Sequence, residues 1–176
     1  MNMKLNAALL GAVLGISAIP SVVLAADATA TAGIEATVLT PIAITKTGDL
    51  NFGSFAADAD QAGTVVIATG GGRSFTGGAS SVTTGLGTVT AASFDVTGEG
   101  TATFSITLPS SAVTLTHTDN ATTMSVGTFE SDPSGTGALV AGAKTVNVGA
   151  TLTVAAGQAA GVYANASGLP VTVAYN

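Results

Sequence analysis

A two-residue period in side-chain polarity runs through most of this chain. Between residues 29 and 39, Ala30, Ala32, Ile34, Ala36 and Val38 fall on one side, and Thr29, Thr31, Gly33, Glu35 and Thr37 fall on the other. Successive side chains of an extended chain point to opposite faces, so this order predicts a strand with one buried face. The period returns in short stretches: Ile42 and Ile44 after Pro41, Leu50 and Phe52 before Gly53, then Val65 and Ile67, and Phe94 and Val96. It continues through Phe104, Ile106 and Leu108 up to Pro109, Val113 and Leu115, and Met124 and Val126 with Phe129. Val146 and Val148 lead through Gly149 to Leu152 and Val154, and Val171, Val173 and Tyr175 follow later. Clusters such as Gly70-Gly71-Gly72 and Asp132-Pro133-Ser134-Gly135 separate these runs as turns. About eight to ten short strands at this spacing predict an all-β sandwich.

No stretch reads as a helix. The chain holds 33 Ala, 28 Thr and 23 Gly in 176 residues, and Thr and Gly interrupt every 3.6-residue apolar stripe that Ala would otherwise build. Alanine is then the small occupant of strand faces, and threonine supplies solubility without charge. The segment from Gly70 to Thr90 is rich in Gly, Ser and Thr and is expected to be a long loop or a ragged hairpin.

Composition removes several classes of function. Hydrophobic residues make up 47% of the chain and mean hydropathy is +0.58, whereas intrinsic disorder needs low hydrophobicity and high charge. Charged residues are only 8%, with a formal net charge of -6, which leaves no basic footprint for nucleic acid. With no Cys, disulfides, thiolate zinc sites and Cys nucleophiles are excluded.

The first residues read as a leader. Lys4 gives a positive start, residues 7–19 form an apolar run, and Pro20 breaks it before Ser21-Val22-Val23-Leu24-Ala25. The run is shorter than the 18 or more residues that span a bilayer as a helix. A signal peptide over residues 1–25, cleaved after Ala25, is therefore expected, followed by a first strand or extension over 26–40 and a domain over 41–176. The expectation is export without membrane insertion after cleavage.

Catalytic patterns are thin. The one histidine, His117, sits in Thr116-His117-Thr118-Asp119-Asn120, and a triad would need it oriented by Asp119 or Asp95 toward a serine. No Gly-x-Ser-x-Gly elbow marks that serine. The glycines before Arg73 lack the lysine and helix of a phosphate loop. Asp58-Ala59-Asp60, with Asp49 and Asn51 upstream, lacks the rest of a calcium loop. The reading is a non-catalytic protein with no cofactor and no metal. Asn120-Ala121-Thr122 and Asn165-Ala166-Ser167 match glycosylation acceptors, a pattern that chance also produces in such sequences.

Pro41-Ile42-Ala43-Ile44-Thr45, Asp49-Leu50-Asn51-Phe52-Gly53, the stretch Val148-Gly149-Ala150-Thr151-Leu152-Thr153-Val154, and Val171-Thr172-Val173-Ala174-Tyr175-Asn176 together resemble the secreted bacterial domain-of-unknown-function family numbered forty-four-zero-two. That family is similar to spore-coat-U-like proteins and to chaperone–usher fimbrial subunits. The resemblance implies an immunoglobulin-like antiparallel β-sandwich that lacks one strand and is completed by an N-terminal donor strand from the next subunit. The donor positions would be Ala30, Ala32, Ile34, Ala36 and Val38. Gly161, Tyr163, Val171, Val173 and Tyr175 would form the C-terminal strand that pairs with a periplasmic chaperone or within the sheet. The implied partners are copies of the chain or related subunits, a periplasmic chaperone and an outer-membrane usher; the implied locations are the periplasm and then a cell-surface fimbrium. Two departures stand out: Gly168-Leu169-Pro170 is an apparent insertion, and the cysteine pair of many fimbrial subunits is missing.

Two function readings follow. In the first, the chain is a fibre subunit whose residues 29–39 do not pair within their own monomer. In the second, it is a self-contained secreted binding or coat module, whose first strand completes its own sandwich.

Overall fold

The computed structural model describes residues 27–85 and 87–176; the expected leader over 1–25 lies outside the described residues. Two units separate within the chain, residues 1–37 and 38–176. In the first, residues 27–37 carry no strand. The second holds the strands β1 (Ala43–Gly48), β2 (Phe55–Ala57), β3 (Gly63–Ile67), β4 (Arg73–Gly77), β5 (Ala79–Ser81), β6 (Ala92–Thr97) and β7 (Thr103–Thr107). They continue as β8 (Val113–His117), β9 (Thr123–Asp132), β10 (Thr136–Ala138), β11 (Ala143–Val154), β12 (Tyr163–Ala164) and β13 (Thr172–Tyr175).

Strand β11 is the axis because it is the longest and hides one face along most of its length. Val146, Val148, Ala150, Leu152 and Val154 are buried on it. Its first half pairs antiparallel with β6 and its second half with β3, while β9 runs along its other edge. The large sheet has the order β1-β6-β11-β9-β8-β12, with β3 and β4 added beside the second half of β11. Every strand pairing in the molecule is antiparallel among the described residues.

Two smaller sheets cover the inner face of the large one, completing a β-sandwich. The sheet β10-β7-β13 lies over β6 and the first half of β11. Phe104 and Ile106 from β7, with Leu139, meet Phe94, Val96, Val146 and Val148 there. The pair β2-β5 and Phe52 cover the other half, closing over Val65, Ile67, Met124, Val126 and Leu152. Opposed apolar faces of this kind supply the main stabilising term, about 1.5–3 kcal/mol for each large aliphatic side chain fully buried.

The segment from Gly70 to Thr90 departs from the sequence expectation of a long loop or ragged hairpin. It contains β4, which pairs with β3, and β5, which pairs with β2. Few apolar residues suffice, because Phe75 faces Val65 across the ladder and Ala79 is buried in the core. The glycine triplet makes the turn between β3 and β4, closed by the hydrogen bonds Ala68 N–H to Gly72 O and Gly71 N–H to Ala68 O, both 2.8 Å. Arg73 fixes the neighbouring loop: its Nη1 donates to the carbonyls of Phe52 and Ser54 at 2.8 and 2.9 Å, and its guanidinium lies over the Phe75 ring.

Candidate functional site

Sheets leave edges, and an edge with a half-covered apolar face is where a β-sandwich can still accept a partner. Strand β1 is an edge of the large sheet and pairs with β6 alone among the described residues. Strand β13 is an edge of the β10-β7-β13 sheet and pairs with β7 alone. The two edges face each other across a seam, with Cα atoms within 8 Å in places and no strand pairing between them.

Their directions follow from the registers. Ala43 opens β1 opposite Thr97 at the end of β6, and Tyr175 closes β13 opposite Phe104 near the start of β7. Residues 98–102 join β6 to β7. The start of β1 and the end of β13 therefore lie at the same end of the sandwich, and the two strands run antiparallel. A strand lying between them would be parallel to one and antiparallel to the other.

The side chains along the seam are apolar and only partly covered. Ile42 and Ile44 on one edge, and Val171, Val173 and Tyr175 on the other, pack as half-buried residues against a core in which Val96, Phe104, Val146 and Val148 are fully buried. Burial is thus complete at the centre of this half of the sandwich and incomplete along the β1–β13 line.

One end of the seam is tied by hydrogen bonds. The Tyr175 hydroxyl donates to the Thr40 carbonyl and accepts the Glu99 backbone N–H, both at 2.7 Å. The Thr40 N–H donates to Glu99 Oε2 at 3.0 Å. That backbone donor, with help from the Thr40 side chain, holds the Glu99 carboxyl below its ordinary pKa. Gly98 makes room for the arrangement, since a Cβ there would run into the Tyr175 hydroxyl and ring carbon Cζ.

The positions singled out from the sequence are distributed as follows. Ala30, Ala32, Ile34, Ala36 and Val38 are all exposed and in no strand, with Ile34 at 98% and Val38 at 95% of full exposure. Val171 precedes β13, and Val173 and Tyr175 lie on it; Gly161 and Tyr163 lie elsewhere, because β12 pairs with β8 in the other sheet. The Gly168-Leu169-Pro170 segment separates the two groups and returns the chain to the seam, with Pro170 ahead of an edge strand, where its missing N–H costs no ladder bond. Thr40, Gly98 and Glu99 join this site without having stood out in the sequence. The signal was slight: a rare acid flanked by glycines in Gly98-Glu99-Gly100.

The His117 region is a local structure apart from these positions. His117 Nδ1 lies 3.0 Å from Asp119 Oδ2, and its ring is tilted against Tyr163 at 4.9 Å between centroids. Asp119 also accepts the N–H groups of Thr122 and Ala121 and the Thr122 hydroxyl, which together push its pKa well below the usual carboxylate range. Gly161 sits against the His117 ring, at Nε2, where a side chain would not fit. Asp95 bonds Thr145 instead. Asp58 accepts the N–H groups of Asp60 and Gln61, an Asx turn. No group of three or more His, Asp or Glu able to hold a metal occurs among the described residues. Asn120 is exposed in the turn after β8, whereas the Asn165 amide donates to the Thr114 carbonyl and its Oδ1 is buried.

The family model described as Domain of unknown function (DUF4402) matches residues 42–175, and the chain belongs to that family. The match runs from Ile42 on one edge of the seam to Tyr175 on the other, and residues 26–41 lie outside it. No curated protein and no solved structure matches the chain.

Proposed function

We propose that this member of the family is a non-catalytic exported structural protein, a subunit of a fimbria-like surface fibre assembled by β-strand addition. The observation that carries the proposal is a complementarity within one chain. Residues 29–39 alternate as a strand does yet have no strand partner among the described residues, and the β1–β13 seam offers two edges that lack one.

In this reading the extension of one copy seats in the seam of the next. Fourteen extended residues over 26–39 reach about 45 Å, ample for strands of this length. Ile34 and Val38 would cover the half-buried Ile42, Ile44, Val171 and Val173, each contributing roughly 1.5–3 kcal/mol. Main-chain hydrogen bonds to both edges would add about 1 kcal/mol apiece. Neighbouring strands stand about 4.8 Å apart, so the incoming strand spreads the edges to about 10 Å. The contact joins two different surfaces, so repetition is head to tail and builds an open filament wherever the rotation per step does not close a ring. Before assembly, a periplasmic chaperone would protect β13 by pairing with the same edge.

The test is assembly of the mature chain. The parent forms filaments and Ile34→Asp does not, while a peptide of residues 26–39 caps growth. Filaments of equal length and yield from Ile34→Asp would overturn the proposal.

A further inference from the structure

Strand β4 is an edge of the large sheet outside the seam. It pairs with β3 alone among the described residues, over five residues in unbroken antiparallel register. The other free edges outside the seam, in β2, β5, β10 and β12, are two or three residues long. The hydrogen bonds at the two ends of the β3–β4 ladder, Gly78 N–H to Ala62 O and Ala68 N–H to Gly72 O, fix which way its main-chain groups point. Bonding alternates along an antiparallel pair, so Ser74 and Thr76 exchange main-chain bonds with β3. The N–H and C=O groups of Arg73, Phe75 and Gly77 therefore point away from β3, and no other strand meets them among the described residues.

Native proteins blunt edges with Lys, Pro, a bulge or very short strands. Residues 73–77 hold none of these devices, and their one cation, Arg73, is turned onto the Phe52 and Ser54 carbonyls. We propose that β4 is a contact surface for a second copy of this chain, the two β4 strands pairing antiparallel about a two-fold axis at Phe75.

The strand is self-complementary about that residue. In this pairing Phe75 meets the partner's Phe75, Arg73 meets the partner's Gly77, and Ser74 meets the partner's Thr76. Every outward N–H and C=O group of the strand then has a partner, with no part of the strand left over. Phe75 is half-buried on the core side of the sheet, and an aromatic pair across the new ladder covers its open flank. The two Arg73 charges stand four residues apart along the strands, about 13 Å. That exceeds the screening length of about 8 Å at physiological salt. A two-fold contact closes at two copies, unlike the head-to-tail contact of the seam. It uses no residue of the seam or of the extension, so it stands or falls apart from the fibre reading.

The experiment follows the mature chain carrying Ile34→Asp, which removes seam assembly, by sedimentation equilibrium and amide hydrogen exchange as its concentration rises to about 1 mM. A monomer–dimer equilibrium is expected, with the Arg73, Phe75 and Gly77 amides gaining protection as the dimer forms. Ser74 and Thr76 are exposed, so both accept charged side chains without disturbing the core. Ser74→Lys/Thr76→Lys sets like charges opposite each other twice and should weaken dimerisation tenfold or more. Ser74→Lys/Thr76→Glu sets opposite charges across the same positions and should dimerise at least as well as the parent. A monomer throughout the concentration range overturns the proposal, as does a dimer that both double variants leave unchanged or weaken alike. Dimers that appear only when Ile34 is present belong to the seam, which overturns the β4 contact and leaves the fibre reading in place.

Discussion

The hydroxyl of Tyr175 donates a hydrogen bond to the carbonyl of Thr40 at 2.7 Å, across 135 residues of chain. This bond joins the entry to the first strand to the end of the last, and the Glu99 N–H shares the same oxygen. Removing that oxygen with Tyr175→Phe loses two hydrogen bonds while keeping the ring, so a destabilisation of about 1–3 kcal/mol is expected. Urea unfolding of the two proteins measures it.

Gly98→Ala should cost a comparable amount, about 1–3 kcal/mol, because the added methyl meets the Tyr175 hydroxyl and Cζ. Part of that cost should vanish in the Tyr175→Phe background, where the hydroxyl is gone. A double-mutant cycle on unfolding free energies tests the coupling; strict additivity would contradict the packing described.

Arg73 donates to two backbone carbonyls, of Phe52 and Ser54, and stacks on Phe75. Arg73→Ala is expected to destabilise by about 2–4 kcal/mol. Arg73→Lys should recover only part of this, since an ammonium lacks the planar donor fork and the stacking face. Chemical denaturation of both variants gives the comparison, and faster exchange of the amides around Phe52 should accompany the loss.

Acid should weaken the fold in part through Asp119. Its carboxyl accepts the N–H groups of Thr122 and Ala121, so its folded pKa lies below its ordinary value of 3.8. The unfolded chain therefore takes up the proton first, and the stabilisation is present above the unfolded pKa and is lost as pH falls from there toward the folded pKa. Asp119→Asn should lower stability at neutral pH and flatten the acid limb of the profile. Urea midpoints from pH 7 down to 2 would show it, and parallel profiles for the two proteins would argue against it.

Thr128 has φ 47°, a left-handed conformation costly for a β-branched residue, at an irregularity in the β9–β11 ladder. There β9 places Thr128 and Phe129 opposite the one residue Ala150, a bulge. Thr128→Gly should stabilise by about 1 kcal/mol, against the usual effect of glycine within a strand. A rise in melting temperature is the expected reading.

The alternation of Phe104 with Ile106, of Val146 with Val148, and of Leu152 with Val154 was enough to place the core strands, since a period of two specifies which residues face inward. The segment holding β4 and β5 was not legible in this way. Phe75 and Ala79 count as core only once β3 and Phe52 are beside them. Gly161 and Tyr163 look continuous with Val171 in the sequence, yet β8 and β7, distant in the chain, decide which sheet each joins.

From its residue order alone, this protein is an all-β chain with an alternating N-terminal segment, because side-chain period and turn chemistry are local properties. Only the tertiary structure decides that β1 and β13 are edges, that they run antiparallel along one seam, and that Thr40, Gly98, Glu99 and Tyr175 meet at its end. Edges and meetings depend on which strands pair across long loops. That choice is made by burial summed over the whole sandwich, a quantity that no local stretch of sequence contains.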